Sequence, residues 1–265
     1  MQQTLTAEPD IRAFTLRRTL SLSAEAVGRR WIALALLVLL EWAVFLALSY
    51  AKRLAFHGGP IPAAASVADV VVEAELQTAF ALAFILAVIG GSRRTSIRFT
   101  IARLLALAPA AFVVCLVMNL GQIAEIANLA TPPTHRLTDG QLANRVILPA
   151  FGSIFIDVVV TAVVGVALPV LAAEGKGVAA TLRRSFRLLR GERWRIVALW
   201  FGYTAATAAL AFLEIRIGAA WPWFRALRLG GLATHVVEAG WFVALSVVYL
   251  ELARGPDAAR VRERR

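Results

Sequence analysis

Runs of about 20 apolar residues recur along this chain, and a bilayer core of ~30 Å demands about that length of helix. The runs lie at about Trp31–Ala51, Val70–Gly90, Ile101–Gln122, Ile147–Ala172, Arg195–Ile215 and Leu229–Leu252. A soluble domain would interrupt such stretches with polar residues at helical or strand period. Composition agrees: 59% of residues are hydrophobic and 17% charged, against ~45–50% and ~25% in soluble domains. The second run is the most polar, with Glu73, Glu75 and Gln77 in its outer third.

The basic residues order these runs into a topology. Of 28 Lys and Arg, 21 lie in the N-terminal segment, the second and fourth connections and the C-terminal segment, and seven in the alternate connections. The positive-inside rule puts the richer set in the cytoplasm. The expected fold is therefore an all-α membrane protein of six transmembrane helices with both termini cytoplasmic. An odd number of spans would spoil the alternation. About thirty polar residues carrying arginines precede the first run, which contains Glu41, so it reads as a retained helix and not a signal peptide.

The net charge of +11 does not point to nucleic acid. The arginines flank apolar runs, where anionic headgroups lie, and no basic domain interleaved with aromatics is present. Cys115 lies within an apolar run and reads as a small packed hydrophobe. His57, His135 and His235 are scattered without metal-ligand spacing, so neither a metal nor a cofactor is expected.

Two amphipathic helices are expected at the cytoplasmic interface, at about residues 11–27 and 177–190. In the first, which Asp10 would cap, Ala13, Leu16, Leu20, Ala24 and Val27 form an apolar stripe with Arg12, Arg17 and Arg18 off it. In the second, Val178, Leu182, Phe186 and Leu189 mark one face, with Arg183, Arg184, Arg187 and Arg190 around the other and Gly191 as a natural stop. Trp31 and Trp194 anchor the spans that follow. The two segments resemble each other: Thr15-Leu16-Arg17-Arg18-Thr19-Leu20-Ser21-Leu22 and Thr181-Leu182-Arg183-Arg184-Ser185-Phe186-Arg187-Leu188 share five of eight residues. Gly28-Arg29-Arg30-Trp31 and Gly191-Glu192-Arg193-Trp194 share three of four, in the sense of a parallel repeat. Residues 1–10 and the basic segment 254–265 read as disordered.

From Leu168-Pro169-Val170-Leu171-Ala172-Ala173-Glu174-Gly175 through Thr181–Gly191 to Trp194, the chain resembles bacterial multi-pass proteins of the glycerophosphoryl diester phosphodiesterase membrane domain type. The N-terminal helix with paired arginines and the closing Tyr249-Leu250-Glu251-Leu252-Ala253-Arg254 fit the same layout. The resemblance implies a bacterial cytoplasmic (inner) membrane. It does not imply the diesterase activity, which in that family belongs to a separate barrel of ~250 residues, for which six spans leave no room. His135-Arg136, after Pro132-Pro133 and near Asp139, reads as a solvated turn.

Buried acids are the candidates for chemistry, because a carboxylate at a helix centre costs ~2.5–3.5 kcal/mol to insert. Glu41, Asp157 and Glu238 fall near the middle of their spans with no Lys or Arg at equal depth. Ser153, Asp157, Thr161 and Gly165 recur every four residues as one polar stripe, and His235 shares a face with Glu238. These residues either form a proton- or cation-responsive site or serve as interhelical hydrogen-bonding groups. No phosphate loop, nucleophile elbow or metal-binding His pair is present. The leading expectation is a non-enzymatic membrane protein that binds anionic lipid headgroups or a membrane or cytoplasmic partner through Arg17, Arg18, Arg183, Arg184, Arg187, Arg190, Trp31 and Trp194. The alternative is a small permease-like transporter using Glu41, Asp157 and Glu238. A membrane-embedded enzyme would require acids, or an acid and a histidine, to converge.

Overall fold

The computed structural model describes residues 16–55, 63–90, 97–118, 139–221 and 229–253. Both chain ends lie outside the described residues, as do His57, residues 119–122 of the third apolar run and His135-Arg136.

The described residues are helical, without strands. Their helices are α1 (Leu16–Ala55), α2 (Ala63–Ile89), α3 (Ile97–Met118), α4 (Asp139–Val164), α5 (Ala167–Glu174), α6 (Val178–Leu188), α7 (Arg193–Ala220) and α8 (Leu229–Ala253). Five stretches are long and apolar enough to cross a membrane: Leu16–Lys52, Val71–Ile89, Phe151–Glu174, Arg193–Ile217 and Leu229–Ala253. The apolar part of α3, Ala102–Met118, is shorter.

Large side chains face outward along these helices, including Ile32, Leu36, Leu39 and Leu40 on α1, Phe151 and Phe155 on α4, and Phe201 and Phe212 on α7. Water penalises such a girdle, whereas lipid accepts it. Inside, α8 packs against α1, α2, α5, α6 and α7. Three apolar clusters fill the bundle. Leu82 and Ile85 meet Ala111, Val114, Leu168 and Leu171; Val166, Val170 and Ile196 meet Leu245 and Val248; Leu34, Val38 and Phe84 meet Ala239 and Val243.

The fourth apolar run, one stretch long and apolar enough to cross a membrane, is built from two helices. It turns at Gly165-Val166, and Gly175, in the left-handed region at φ 63°, closes α5 with its N–H donating to the Leu171 carbonyl. The Arg103 guanidinium donates to the Ala172 and Ala173 carbonyls, at 2.5 and 3.2 Å, where that helix end leaves acceptors open.

Neither amphipathic segment is seated quite as its apolar stripe led us to expect. Residues 16–27 are not a separate helix: they run without a break into the first span, making α1 40 residues long, or about 60 Å. Its inward face is Thr19, Ser23, Leu34, Val38 and Glu41, a single stripe at helical period, while Leu20 is 59% exposed. On α6 the fully buried residues are Thr181 and Ser185, and Phe186 turns outward at 43% exposure, beneath the Arg193 guanidinium at 4.5 Å. The expected face of Val178, Leu182, Phe186 and Leu189 is thus divided, with Leu189 fully buried. In lipid, large apolar side chains lose nothing by facing out, and small hydroxyl residues let helices approach closely. The helix ends earlier than the expected stop, at Leu188 with Leu189 as its cap, and Gly191 lies in the turn that follows, at φ 93°.

Candidate functional site

The site lies where α1, α2 and α8 meet, directly beyond the Leu34–Val38–Phe84–Ala239–Val243 cluster. Helical period explains how each residue arrives there. Glu41 follows Val38 by one turn on the inward face of α1, and His235 and Glu238 precede Ala239 and Val243 on α8. His235 Nδ1 stands 3.4 Å from Glu41 Oε2 and 3.3 Å from Glu238 Oε2. One ligand atom from each of the three residues falls within a sphere of contacts no longer than 4.8 Å. Phe45, one turn beyond Glu41, stacks on the imidazole with ring centroids 5.4 Å apart.

Glu41 is 1% exposed. Its Oε2 and the His235 Nδ1 are both enclosed, and neither has a hydrogen-bond partner of adequate geometry despite their proximity. Glu238 is better provided: its Oε1 accepts from Gln77 Nε2 at 3.2 Å, leaving Oε2 towards the imidazole. One turn further along α2, Glu73 pairs with Lys52 Nζ of α1 at 2.6 Å. Polar groups therefore descend from the α1–α2 end of the bundle to Glu41, while an apolar cluster closes the opposite side. The His235 and Glu238 side chains retain 15% and 13% exposure, so the group is enclosed but not sealed.

Asp157 does not join this group. It sits on α4 with Ser153 and Thr161, all three buried, on a helix that packs against α7, α3 and α6. The stripe ends at Gly165, where a Cβ would stand 3.3 Å from Ile196 Cγ1 of α7. The three acids of the sequence reading thus divide into a pair with histidine and a separate packing stripe. Gln77 was legible only as a polar residue in the second run; its partner Glu238 is 161 positions away.

The arginines expected at the interface belong to a second assembly at the other end of the bundle. Arg18 pairs with Glu251 at 2.7 Å, and Thr19 Oγ1 donates to the same carboxylate at 3.3 Å. At the matching positions of the second segment, Arg184 pairs with Glu174 at 3.2 Å beside the buried Ser185. Glu174 also accepts from Lys176 Nζ at 2.6 Å and from the Tyr249 hydroxyl at 3.5 Å. Each segment thus commits the second of its adjacent arginines, Arg18 or Arg184, to a glutamate at the end of another helix. Arg17, Arg183, Arg187 and Arg190 stay exposed, as do Trp31 and, at 83%, Trp194. The Arg18–Glu251 contact brings the start of α1 and the end of α8 to the same end of the bundle.

Comparison with protein-family models, with curated proteins and with solved structures found no match.

Proposed function

We propose that this chain is a small permease-like protein of six transmembrane helices, both termini cytoplasmic, in a bacterial cytoplasmic membrane. Its solute is a cation, bound at Glu41, His235 and Glu238. The observation that carries the proposal is the meeting of two intramembrane carboxylates at one imidazole, with Glu41 almost wholly buried. Each acid costs ~2.5–3.5 kcal/mol to insert at a helix centre. Packing does not require that cost, since this bundle meets its close approaches with hydroxyls at Thr19, Thr181 and Ser185. Buried charge of one sign is retained where an opposite charge visits. The polar descent past Lys52–Glu73 and Gln77–Glu238 gives a cation one side of entry. A sixth span through α3 is supported by Leu107, Ala111 and Val114, which pack in the core with α2 and α5.

The test is cation flux into proteoliposomes. Glu41→Gln keeps the shape and removes the charge, and is expected to abolish flux, as is Glu238→Gln. Asp157→Asn, outside the cluster, is expected to leave it near the unmutated level. Flux that persists in both Gln variants refutes the proposal.

A second reading complements the first. The exposed arginines Arg183, Arg187 and Arg190, beside the exposed Trp194, fit an α6 that rests on anionic headgroups as a non-catalytic lipid- or partner-binding surface.

A further inference from the structure

The geometry points to a divalent first-row transition-metal ion, of the Zn2+ class, as the cation that Glu41, His235 and Glu238 take up. This inference names the ion for the site proposed above. Three observations meet in it.

The first is spacing. Metal–ligand bonds of ~2.0–2.1 Å in a regular tetrahedron place neighbouring ligand atoms about 3.3–3.4 Å apart. The two edges from His235 Nδ1 are 3.3 and 3.4 Å, and the ligand atoms of the three residues all lie within 4.8 Å of one another. Those separations are long and badly angled for hydrogen bonds, and the facing Glu41 Oε2 and His235 Nδ1, both enclosed, are left without one. Two enclosed polar atoms at this spacing, with no hydrogen bond made by either, are what a common metal ion would bridge.

The second is donor type. A neutral imidazole nitrogen with two carboxylate oxygens suits zinc, iron or manganese better than Mg2+ or Ca2+, which favour oxygen alone. Three protein ligands leave a fourth position open, the arrangement of a site that exchanges its ion or binds water.

The third is support and charge. Gln77 holds Glu238 Oε1, which orients Oε2 towards the imidazole, and Phe45 fixes the ring plane. Such outer contacts position metal ligands generally. A divalent ion neutralises both carboxylates inside the bilayer, whereas one imidazolium between them would leave a negative charge uncompensated.

The experiment uses the full chain in mild detergent, stripped with chelator and titrated with Co2+ as a spectroscopic probe. One equivalent of Co2+ is expected to bind with the intense visible absorption of a low-coordinate site. Zn2+ should displace it, and excess Mg2+ or Ca2+ should not. Glu41→Gln and His235→Gln are expected to lose the band. Gln77→Met, which keeps all three ligands, should weaken binding about 10–100-fold. A folded, unmutated protein that takes up neither Co2+ nor Zn2+ overturns the inference, as does uptake unchanged in both ligand variants. Flux of a monovalent cation without Co2+ uptake would leave the permease standing and remove the metal. Stoichiometric Co2+ uptake without flux would do the reverse.

Discussion

Gly165 stands where α4 turns into α5 against α7, and replacing it with alanine tests the packing of the whole bundle. A Cβ there would lie 2.5 Å from the Thr161 carbonyl oxygen and 3.3 Å from Ile196 Cγ1. Ordinary contact begins near 3.4 Å, so the methyl must withdraw by about 0.9 Å from an oxygen that cannot yield freely. That oxygen accepts the Gly165 N–H at 3.0 Å, and the bond helps to define the turn. Overpacking of this kind costs ~1–3 kcal/mol, and weakening the hydrogen bond adds ~1 kcal/mol. Gly165→Ala is therefore expected to destabilise the fold by about 2–4 kcal/mol. Gly202→Ala on α7 is the matched control. A Cβ there meets nothing within 4 Å, and the substitution should be neutral or gain ~0.5–1 kcal/mol from helix propensity. Reversible unfolding in mixed micelles of mild detergent and SDS, followed by circular dichroism, measures both. Equal stability of the two variants would refute the close approach of α4, α5 and α7.

Two further predictions concern the arginine end of the bundle. Reversing Arg18 to Glu leaves it facing Glu251 and should destabilise by about 1 kcal/mol, since the Arg18 side chain is 44% exposed and its pairing is screened by solvent; adding Glu251→Arg should recover most of that loss in the same unfolding assay, and no recovery would show that the pair is incidental. Reversal of Arg183, Arg187 and Arg190 together should remove about 1 kcal/mol of attraction to anionic lipid per charge, read as lost co-purified phospholipid in native mass spectrometry. Unchanged lipid retention would confine these residues to topology.

The long apolar helices were legible in the sequence because their signal is local. Whether about 20 consecutive residues are apolar depends on nothing distant, and so the runs around Arg195–Ile215 and Leu229–Leu252 reappear as α7 and α8 with small shifts at their ends, while the run around Trp31–Ala51 lies within the longer α1. A turn at Gly191 was legible for the same reason, since only its own left-handed backbone conformation is at stake. The inward faces were harder to read. In water a hydrophobic stripe marks the buried side, but in lipid that rule lapses, and Thr19 and Ser185 pack inside while Leu20 and Phe186 face out.

What the sequence determined by itself is that the chain is helical, apolar in spans, and supplied with costly acids at Glu41, Asp157 and Glu238. Which of those acids act together was decided by tertiary structure alone. Glu41 and His235 are separated by 194 positions, and no periodicity relates residues on different helices. The crossing of α1 and α8 above one apolar cluster brings them within 3.4 Å, while the packing of α4 against α7 sets Asp157 apart. A helix fixes which residues share its own face; only the docking of that face on a neighbour decides which charges must share one space.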